Sequence, residues 1–390
     1  MTDQDVDLVV VGGGVTGCAI ARSVAPDLDV LVIERDKIAT GGATALAAGE
    51  VTMTPSYSDV PGIANHAMAF FRDYDGTGAF SFHERPSVEL VPTDREDEAR
   101  RRADRLSEAG FPVSFREPHT VATEHPRLSL DEYAGVVRHE DTGFLDPYTL
   151  TVELQNDAED RGATVETGRT VTDVRVEDGA VAGVRTATGR IDADQVVVAA
   201  GWRTRDLLED VLELPIRPYR TQVVVLEPEP PMDDSFPMGW IPGRHVYFRP
   251  EVNGDLVVGG YSFAEDHPER ASGQEDEAFR DHVASLVPTF LDDFDRAGFV
   301  DGWAGIDAAT PDTRPIVDAP DEGPDGLVVA TGFHGRGVMT APVTATVARE
   351  LLLDEEASIP HDPFALDRFD SRSADFPFYS ISSGDDEYED

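Results

Sequence analysis

A glycine-rich turn near the start of the chain is the feature that most constrains its fold. The apolar run VDLVVV at 6–11 predicts a buried strand, and Gly12, Gly14 and Gly17 follow it directly before the helix-like segment CAIARSVA. A second apolar run, VLVIE, ends at Glu34. Strand, glycine turn, helix, strand and terminal acid form the opening of a doubly wound domain. We therefore predict an α/β, Rossmann-like fold that binds a dinucleotide.

Each of the three glycines in this turn has a separate structural role. Gly12 permits the tight turn, Gly14 lets the backbone approach a pyrophosphate, and Gly17 lets the helix pack closely on the strand. The helix N-terminus offers N–H groups and a positive dipole end to the phosphates. The Glu34 carboxylate can accept hydrogen bonds from both ribose hydroxyls, and it would repel the 2′-phosphate of NADP. It does not distinguish NAD from FAD.

The charge of the chain restricts its partners. Its 390 residues include 76 Asp and Glu against 32 Lys and Arg, a net charge of −44. Such a charge repels nucleic acids and anionic membranes, so we expect neither as a partner. The acidic residues are spread along the whole chain, a pattern that resembles proteins of salt-loving organisms, where salt screens the self-repulsion. We therefore expect a halophilic protein with an acidic surface.

Other compositional features exclude several classes. No apolar run reaches the roughly 18 residues of a membrane span, and the first ten residues lack the basic start of a secretory signal, so we expect a cytoplasmic protein. The single cysteine, Cys18, lies on an apolar helix face and predicts a buried, inert thiol. The histidines lack metal-ligand spacing, so no metal site is expected. Neither a Ser-His-Asp arrangement nor a Walker loop is present.

Nucleotide-domain patterns recur along the chain and are separated by strand-rich segments. The runs VVVAAG at 196–201 and GLVVATG at 326–332 are apolar strands that end in glycine. The nucleotide-binding domain is therefore predicted to be discontinuous, with a second domain built on a mixed or antiparallel β-sheet with flanking helices. The predicted segments are 1–82, 143–216 and 297–368 for the nucleotide domain, 83–142 and 217–296 for the second domain, and 369–390 for a partly disordered acidic tail.

Several longer motifs stand in the order found in a known family. They are DLVVVGGGVTGCAIA with Glu34 and Arg35, ATGGATALAAG, DTGFLDP, GRIDADQVVVAAGWRTRDLL, GWAGIDAATPDTRPIV and GLVVATGFHGRGVMTAPVTATVARELL. With these motifs the chain resembles, over most of its length, the D-amino-acid oxidase family of FAD-dependent oxidoreductases. That family includes glycine oxidase, sarcosine oxidases and dimethylglycine dehydrogenase.

The resemblance implies FAD as the cofactor and assigns its contacts. Loop 42–49 passes the pyrophosphate and reaches the flavin ring, and the strand around Val171 contacts adenine. The turn at 332–337 sets N–H groups and a helix dipole against the pyrimidine edge of the flavin, where reduced flavin carries negative charge. The implied cofactor-binding residues are Gly12, Gly14, Val15, Thr16, Gly17, Glu34, Arg35, Gly42, Ala43, Thr44, Ala48, Gly49, Val171, Ala200, Gly201, Gly332, His334, Gly335, Arg336, Gly337 and Val338.

Two departures from the family pattern are informative. Leu46 stands where some relatives attach FAD to a histidine, and no cysteine follows the C-terminal motif, so the FAD is expected to be non-covalent. Asp307 stands where glycine oxidase holds the substrate carboxylate with an arginine, so another cation must bind a carboxylate. Arg249, Arg220 and Arg336 are candidates, because a guanidinium fits a carboxylate in two hydrogen bonds.

The substrate-site hypothesis follows from these candidates. The side chains predicted to act there are Arg249, Arg336, His334 and Tyr247. Tyr261 and His245 could line the same pocket, or could be packing residues, and His334 and Arg336 could instead be surface residues of a loop. The interpretation as packing or surface residues stays open at this point.

The predicted reaction is oxidation of a C–N bond in a small amine or amino acid of the sarcosine, proline, glycine or D-amino-acid type. A hydride passes to flavin N5, and the imine is hydrolysed. The sole lysine, Lys37, lies at the adenosine end, which favours a dehydrogenase with a carrier as electron acceptor over an oxidase using O2. Two alternatives remain: a 2-hydroxy-acid or glycerol-phosphate dehydrogenase, and a non-catalytic flavoprotein subunit or assembly factor. The chain could also be one subunit of a larger complex.

Overall fold

The first of two large sheets is mainly parallel, as seen in a computed structural model that describes residues 4–294 and 296–380. Strands and helices are numbered along the chain. The strands of this sheet are β1 (Gln4–Val11), β2 (Val30–Ile33), β9 (Thr164–Glu166), β10 (Val171–Glu177), β11 (Ala180–Thr186), β12 (Gly189–Val198), β18 (Ile316–Asp318) and β19 (Leu327–Thr331). Their path is β10-β11-β12-β1-β2-β9, with β19 joined to β12 and β18.

The parallel part of this sheet creates the edge at which a ligand can bind. Strands β19, β12, β1, β2 and β9 pair in parallel, so their carboxyl ends meet at one edge. The chain leaves that edge at Gly12, Glu34, Ala199 and Gly332. These positions include both glycine motifs and the acid found in the sequence.

Both faces of the first sheet are covered, which explains the continuous apolar character of β1. Leu8 and Val10 pack into one core cluster, and Val9 and Val11 pack into another. The chain's helices are α1 (Val15–Val24), α2 (Met53–Ser56), α3 (Pro61–Tyr74), α4 (Glu96–Glu108), α5 (Pro118–Glu124), α6 (Pro147–Asp160), α7 (Thr204–Leu207), α8 (Glu277–Leu286) and α9 (Gly337–Leu352). Helix α1 packs between α6 and α9 on the Leu8 face.

The second large sheet is mixed. Its strands are β5 (Ser87–Pro92), β6 (Val113–Arg116), β7 (Tyr133–His139), β13 (Arg217–Glu227), β14 (Met238–Ile241), β15 (Val246–Pro250), β16 (Leu256–Ala264) and β17 (Gly298–Ala309). The order is β17-β13-β16-β15-β14-β5-β7-β6, with β14 and β5 parallel and the other neighbours antiparallel. Helix α8 packs on one face through Phe279 and Val283. The predicted α/β fold with a mixed second sheet is confirmed.

The structure also contains a small third sheet of three strands. It consists of β3 (Glu50–Val51), β8 (Gly143–Leu145) and β4 (Phe82–Glu84), with β8 in the middle. Pairing of β3 with β8 sets Glu50 opposite Phe144. This sheet therefore fixes the position of Glu50, which directly follows the small-residue loop 42–49.

The division into two domains stays a proposal, and one of its boundaries needs correction. Strand β17 pairs with β13 along its length and so belongs to the second sheet. The domain boundary predicted at residue 297 places this strand in the nucleotide domain instead. The alternating pattern of a strand does not say which sheet it joins, and the error has that origin.

The C-terminal segment 369–380, the first part of the predicted acidic tail 369–390, packs on the molecule. Arg217 Nη1 donates to the carbonyl of Phe376 at 2.9 Å. The ring of Phe378 stacks on His334 with centroids 5.5 Å apart and lies 5.2 Å from that of Tyr219. The rest of the predicted tail, 381–390, lies outside the described residues.

The described helices carry one further negative finding. Within residues 4–294 and 296–380, none combines the length and apolar character that a bilayer crossing requires.

The cysteine is buried as predicted. Cys18 is free and buried, and burial raises the pKa of its thiol to about 12.

Replacing Phe378 by alanine should lower the free energy of unfolding by about 1–3 kcal/mol, because two aromatic contacts of about 0.5–1.5 kcal/mol each are lost. Denaturant unfolding of Phe378→Ala measures this change. Phe299→Ala is the control, since Phe299 is 49% exposed and its contact with Arg280 is worth only about 0.5–1 kcal/mol. Equal losses in the two variants would show that the segment does not contribute to stability.

Candidate cofactor and substrate site

A cavity of about 500 Å³ lies where the carboxyl edge of the first sheet meets the second sheet. The residues after β1, β2 and β12 line one part of it, and residues of β13, β15 and β17 line another. A volume of this order is typical of small-molecule sites, which hold about 300–1,000 Å³. The position is the one that open α/β sheets use for ligands.

The glycine turn forms a steric cradle at this edge. A Cβ on Gly12 would lie 2.4 Å from the Ala199 carbonyl oxygen, and one on Gly17 would lie 1.9 Å from that of Gly12. No side chain fits at either position without moving backbone. Gly14 caps α1 and lines the cavity beside the first turn of the helix, whose N–H groups lack intrahelical acceptors.

Glu34 is held in place beside this turn. Its Oε2 accepts from the Gly13 N–H at 2.7 Å, and its Oε1 accepts from the Asp36 N–H at 2.8 Å. Each carboxylate oxygen has a second lone pair that can accept from a ribose hydroxyl. The structure therefore supports the residue that the sequence identified, and explains its orientation.

Open space above two further glycines tests whether a dinucleotide fits. Gly42 and Gly201 line the cavity, and a Cβ built on either would meet no atom within 4 Å. At Gly42, whose backbone is extended, packing does not explain the lack of a side chain, whereas a ligand passing over it would. At Gly201 a φ of 60° itself favours glycine. Thr44, predicted to contact a phosphate, lies at the same place, where its Oγ1 accepts from the Val15 N–H at 3.1 Å. The cradle fits FAD.

Many of the predicted cofactor contacts are gathered around this cavity. The predicted residues that line it are Gly12, Gly14, Val15, Thr16, Glu34, Arg35, Gly42, Ala43, Thr44, Ala48, Gly49, Val171, Ala200, Gly201, Gly335, Arg336, Gly337 and Val338. Gly17 instead acts through helix packing, and Gly332 packs against Thr310, whose Cγ2 would lie 2.4 Å from an added Cβ.

Two cations at the Glu34 end were missed by sequence reasoning. Arg169 and Arg203 line the cavity together with the expected Arg35 and Lys37. Burial, and then the neighbouring Arg35, lower the pKa of Arg203. Arg203 directly follows the Ala-Gly-Trp run that comes after β12, and this position in the sequence was the available signal.

Side chains of the second sheet hold the small-residue loop. Trp303 Nε1 donates to the Leu46 carbonyl at 2.9 Å, and Arg249 Nε donates to the Ala48 carbonyl at 2.5 Å. Arg249 Nη2 also pairs with Glu251 at 2.8 Å. The prediction that Arg249 binds a substrate carboxylate is therefore wrong in this structure, because its donors are directed to the loop and to Glu251.

Arg220, the other strand arginine considered for the substrate, is also a structural brace. Its Nη1 pairs with Asp276 at 2.9 Å, and its Nη2 donates to the Gln274 carbonyl at 2.5 Å. Tyr261 is 43% exposed and stacks against Phe279 instead of lining the pocket. His245 lies before β15 in a left-handed conformation, φ 56°.

The His334 side chain points away from the cavity, contrary to the catalytic prediction. It is fully buried between the rings of Tyr219 and Phe378, and its Nε2 lies 2.7 Å from the Tyr379 carbonyl oxygen, to which it donates. Burial, followed by the charge of Arg336, lowers its pKa to about 3, so the ring is neutral near neutral pH. Packing of the C-terminal segment determines this position.

Asp307 orders the C-terminal motif. Its Oδ2 accepts from the Gly335 N–H at 2.7 Å, and its Oδ1 accepts from the Ala308 N–H at 2.8 Å. The Gly335 N–H, expected at the flavin, is therefore engaged by a carboxylate. Gly337 and Val338 remain at the cavity wall, at the positive end of α9.

Arg336 is the cation of the three candidates that lines the cavity. It precedes α9, and its Nη1 donates to the Thr313 carbonyl at 2.6 Å. Tyr247 also lines the cavity, as predicted. These two predicted side chains are thus brought to one site.

Glu50 is the principal residue that the sequence analysis missed. It lines the cavity directly after the small-residue loop, and its Oε1 is buried with no hydrogen-bond partner among residues 4–294 and 296–380. Burial raises its pKa to about 8, against the opposing effect of Arg249. Burial, and then the Glu50 charge, raise the pKa of Tyr247. The signal available in the sequence was that Glu50 is the only acid in the run of small residues at 39–51.

A polar group lies in another part of the cavity wall. Arg102 pairs with Glu89, and both line the cavity with His139 and Trp240. Burial, and then Arg102, lower the pKa of His139 to about 3, so its ring is neutral. None of these residues was proposed from the sequence.

The fold and the cradle define a dinucleotide-binding protein in which a second sheet closes the carboxyl edge of the first. The family model for FAD dependent oxidoreductases, DAO, matches residues 7–351. The chain belongs to this family of FAD-dependent enzymes, and the prediction of FAD is confirmed.

Individual relatives agree with this assignment. The chain is 28% identical to the bifunctional protein ThiO/ThiG of Synechocystis sp. over 258 residues, a match that covers 66% of this chain and 38% of that protein. It is 26% identical to glycine oxidase of Geobacillus kaustophilus over 377 residues, covering 93% and 97% of the two chains. The first of these matches thus spans well under two thirds of the relative's length.

Solved structures share the fold. The crystal structure of glycine oxidase from Geobacillus kaustophilus matches with a TM-score of 0.84 at 22% identity, covering 94% of this chain and 100% of that one. The crystal structure of L-proline dehydrogenase from P. horikoshii matches with a TM-score of 0.85 at 23% identity, covering 94% and 99%. At these identities the similarity establishes the architecture alone.

The variant Gly17→Ala should lose FAD and destabilise the protein, because its Cβ would lie 1.9 Å from the Gly12 carbonyl oxygen and must displace α1. We expect a loss of about 1–3 kcal/mol, as in other overpacked sites. The FAD-to-protein absorbance ratio after gel filtration and the unfolding curve measure both effects. Gly273→Ala is the control, since a Cβ there meets nothing within 4 Å. Retention of FAD by Gly17→Ala at the control level would contradict the cradle.

Glu50 should reduce stability at alkaline pH. Its folded-state pKa of about 8 lies above the ordinary 4.5, so the folded protein holds this proton more tightly and stability falls as pH rises between these values. Glu50→Gln cannot ionise and should gain several kcal/mol relative to the wild type by about pH 9, at up to about 1.4 kcal/mol for each pH unit between the two pKa values, and little at about pH 5. Denaturant unfolding of FAD-loaded protein across this range measures the difference.

The control for this experiment is Glu98→Gln, the same chemical change at an exposed residue of the same cavity. Its stability should follow the wild-type pH curve. A constant offset between Glu50→Gln and the wild type across the pH range would rule out a raised pKa at Glu50.

Proposed function

We propose that the protein oxidises a C–N bond of a small amine or amino acid. FAD, when bound, supplies the oxidant by accepting a hydride from the carbon next to the nitrogen, and the imine product then hydrolyses in water. One observation carries the proposal: the cavity that begins at the cofactor cradle continues to Glu50, Tyr247 and Arg336. A carboxyl group, a phenol and a guanidinium are complementary to an amino group and a carboxylate.

The names of the relatives support this substrate class. Glycine oxidase is similar along nearly the full length of both chains, and L-proline dehydrogenase has the same architecture. Both names describe oxidation of a small amino acid. Which of the sarcosine, proline, glycine and D-amino-acid types is the substrate is left to the experiment below.

The residue roles are proposed from the geometry of the cavity. Arg336 lines it and can bind a substrate carboxylate with its guanidinium. Tyr247 contributes an un-ionised phenol, because its pKa is raised. Leu46 lines the cavity and offers no atom for a bond to FAD, which supports non-covalent binding. Trp303 and Arg249 act indirectly, by holding the loop that faces the cofactor.

The electron acceptor is proposed to be a carrier, as for a dehydrogenase. Lys37, the sole lysine, lines the cavity and follows β2 closely in the chain, as Glu34 does. We therefore propose that this lysine lies at the adenosine part of FAD and does not assist a reaction of O2 at the flavin ring. A cytoplasmic location and membership of a larger oxidoreductase complex remain proposals from the sequence.

The proposal is tested by an anaerobic screen of the FAD-loaded protein, in dilute and in concentrated salt because of the net charge of −44. We expect loss of the oxidised-flavin band with at least one of sarcosine, proline, glycine and D-amino acids. Admission of air should restore the band slowly, and a dye acceptor should restore it quickly. Bleaching by 2-hydroxyglutarate or glycerol phosphate, and not by amines, would support the hydroxy-acid alternative. No bleaching by any compound would support a non-catalytic subunit.

A further inference from the structure

Glu50 lines the cavity, and its carboxyl group can accept hydrogen bonds. The residue begins β3 directly after the small-residue loop, and pairing with β8 fixes it opposite Phe144. Its Oε1 is buried, and no described residue within 4–294 and 296–380 donates to it. A buried acceptor without a donor costs about 1–3 kcal/mol, so a ligand that donates to this carboxyl group would be stabilised.

The nearest cation does not neutralise Glu50. Arg249 acts on it electrostatically, yet its Nη2 is paired with Glu251 at 2.8 Å and its Nε donates to the Ala48 carbonyl at 2.5 Å. The guanidinium therefore already has an anionic partner. An ionised Glu50 leaves one uncompensated negative charge beside the cavity, and a cationic ligand is its natural complement.

The other titratable groups near Glu50 do not supply that cation. Tyr247, on the same strand as Arg249, is a neutral phenol. His83 of β4 stacks on the Phe144 ring, with centroids 5.0 Å apart, and so faces the aromatic residue. Arg336, at the start of α9, lines the same cavity and donates to the Thr313 carbonyl. A ligand with an amino group at Glu50 and a carboxylate at Arg336 would satisfy both charges.

We propose that Glu50 receives the amino group of the substrate and accepts one of its protons, so that the ligand is a small primary or secondary amine that enters as a cation. The inference rests on the proposed function and narrows it. The N–H bond of the ammonium breaks, an O–H bond forms on the Glu50 carboxylate, and the nitrogen keeps the electron pair. A neutral amine is the form whose adjacent carbon can lose a hydride.

The proton balance favours this role. An alkylammonium has a pKa of about 10.4, so transfer to an ordinary carboxylate is unfavourable by a factor of about a million. Transfer to a carboxylate whose pKa is about 8 is unfavourable by a factor of only a few hundred. A hydroxy acid brings no ammonium proton, so Glu50 favours amines over alcohols.

The test uses ligands that cannot be oxidised, bound to the FAD-loaded protein and followed by the flavin difference spectrum. Tert-butylamine and 2-aminoisobutyrate carry no hydrogen on the carbon next to nitrogen, and pivalate has the shape of the latter without its amine. In the wild type, affinity for both amines should rise with pH until Glu50 is ionised near pH 8. Pivalate affinity should not rise over this range.

The variant Glu50→Gln should bind both amines about tenfold or more weakly above this pH and should lose the rise, because a charged hydrogen bond of about 1.5–3 kcal/mol is removed. It should bind pivalate as well as the wild type. Glu98→Gln, the exposed control in the same cavity, should bind all three ligands like the wild type.

Equal binding of pivalate and 2-aminoisobutyrate by the wild type, or no binding of either amine, would overturn the assignment even if Glu50→Gln failed to fold. The two proposals fail separately. Amine bleaching of the flavin without any dependence of binding on Glu50 removes the role of Glu50 alone. Glu50-dependent amine binding with no bleaching by any amine removes the proposed oxidation alone.

Discussion

The close packing of the first helix on the first strand is the contact on which the site depends. With glycine at Gly12 and Gly17, the helix starts almost in contact with the strand end, and any side chain would meet a carbonyl oxygen within 2.4 Å. The N–H groups of the first turn are thereby set at the carboxyl edge of a parallel sheet, beside Glu34. The cofactor cradle is a consequence of this packing and does not require further charged residues.

The second sheet completes the site by holding the parts of the chain that face the cofactor. Trp303 and Arg249 bind the carbonyls of Leu46 and Ala48, and Asp307 binds the Gly335 N–H. Polar side chains that could have been catalytic are thus used to position backbone. Glu50, Tyr247 and Arg336 also line the cavity, and they are the side chains that we propose for substrate recognition. The chemistry is assigned to the FAD, and the protein contributes orientation and charge.

Sequence reasoning succeeded for elements defined by local pattern. The strand-glycine-helix opening, Glu34, the small-residue loop and the helix after the C-terminal glycine motif were all located correctly, because each is encoded within a short segment. The mixed second sheet was also predicted. The placement of β17 was not, since its alternation is equally compatible with either sheet. The packing of segment 369–380 through the ring contacts of Phe378 is a feature that composition does not report.

The sequence by itself determined the family, the cofactor and the edge at which the cofactor binds, because these depend on glycine spacing and on one acid at a strand end. Only the tertiary structure decided which polar side chains line the cavity. Arg249 and His334 had the right chemistry, but long-range partners, Ala48 and Tyr379, direct them elsewhere. Glu50 gave little signal in the sequence. It stands out in the structure because it lines the cavity and one of its carboxyl oxygens is buried without a partner among the described residues. Such partners lie far apart in the chain, so local pattern cannot reveal them.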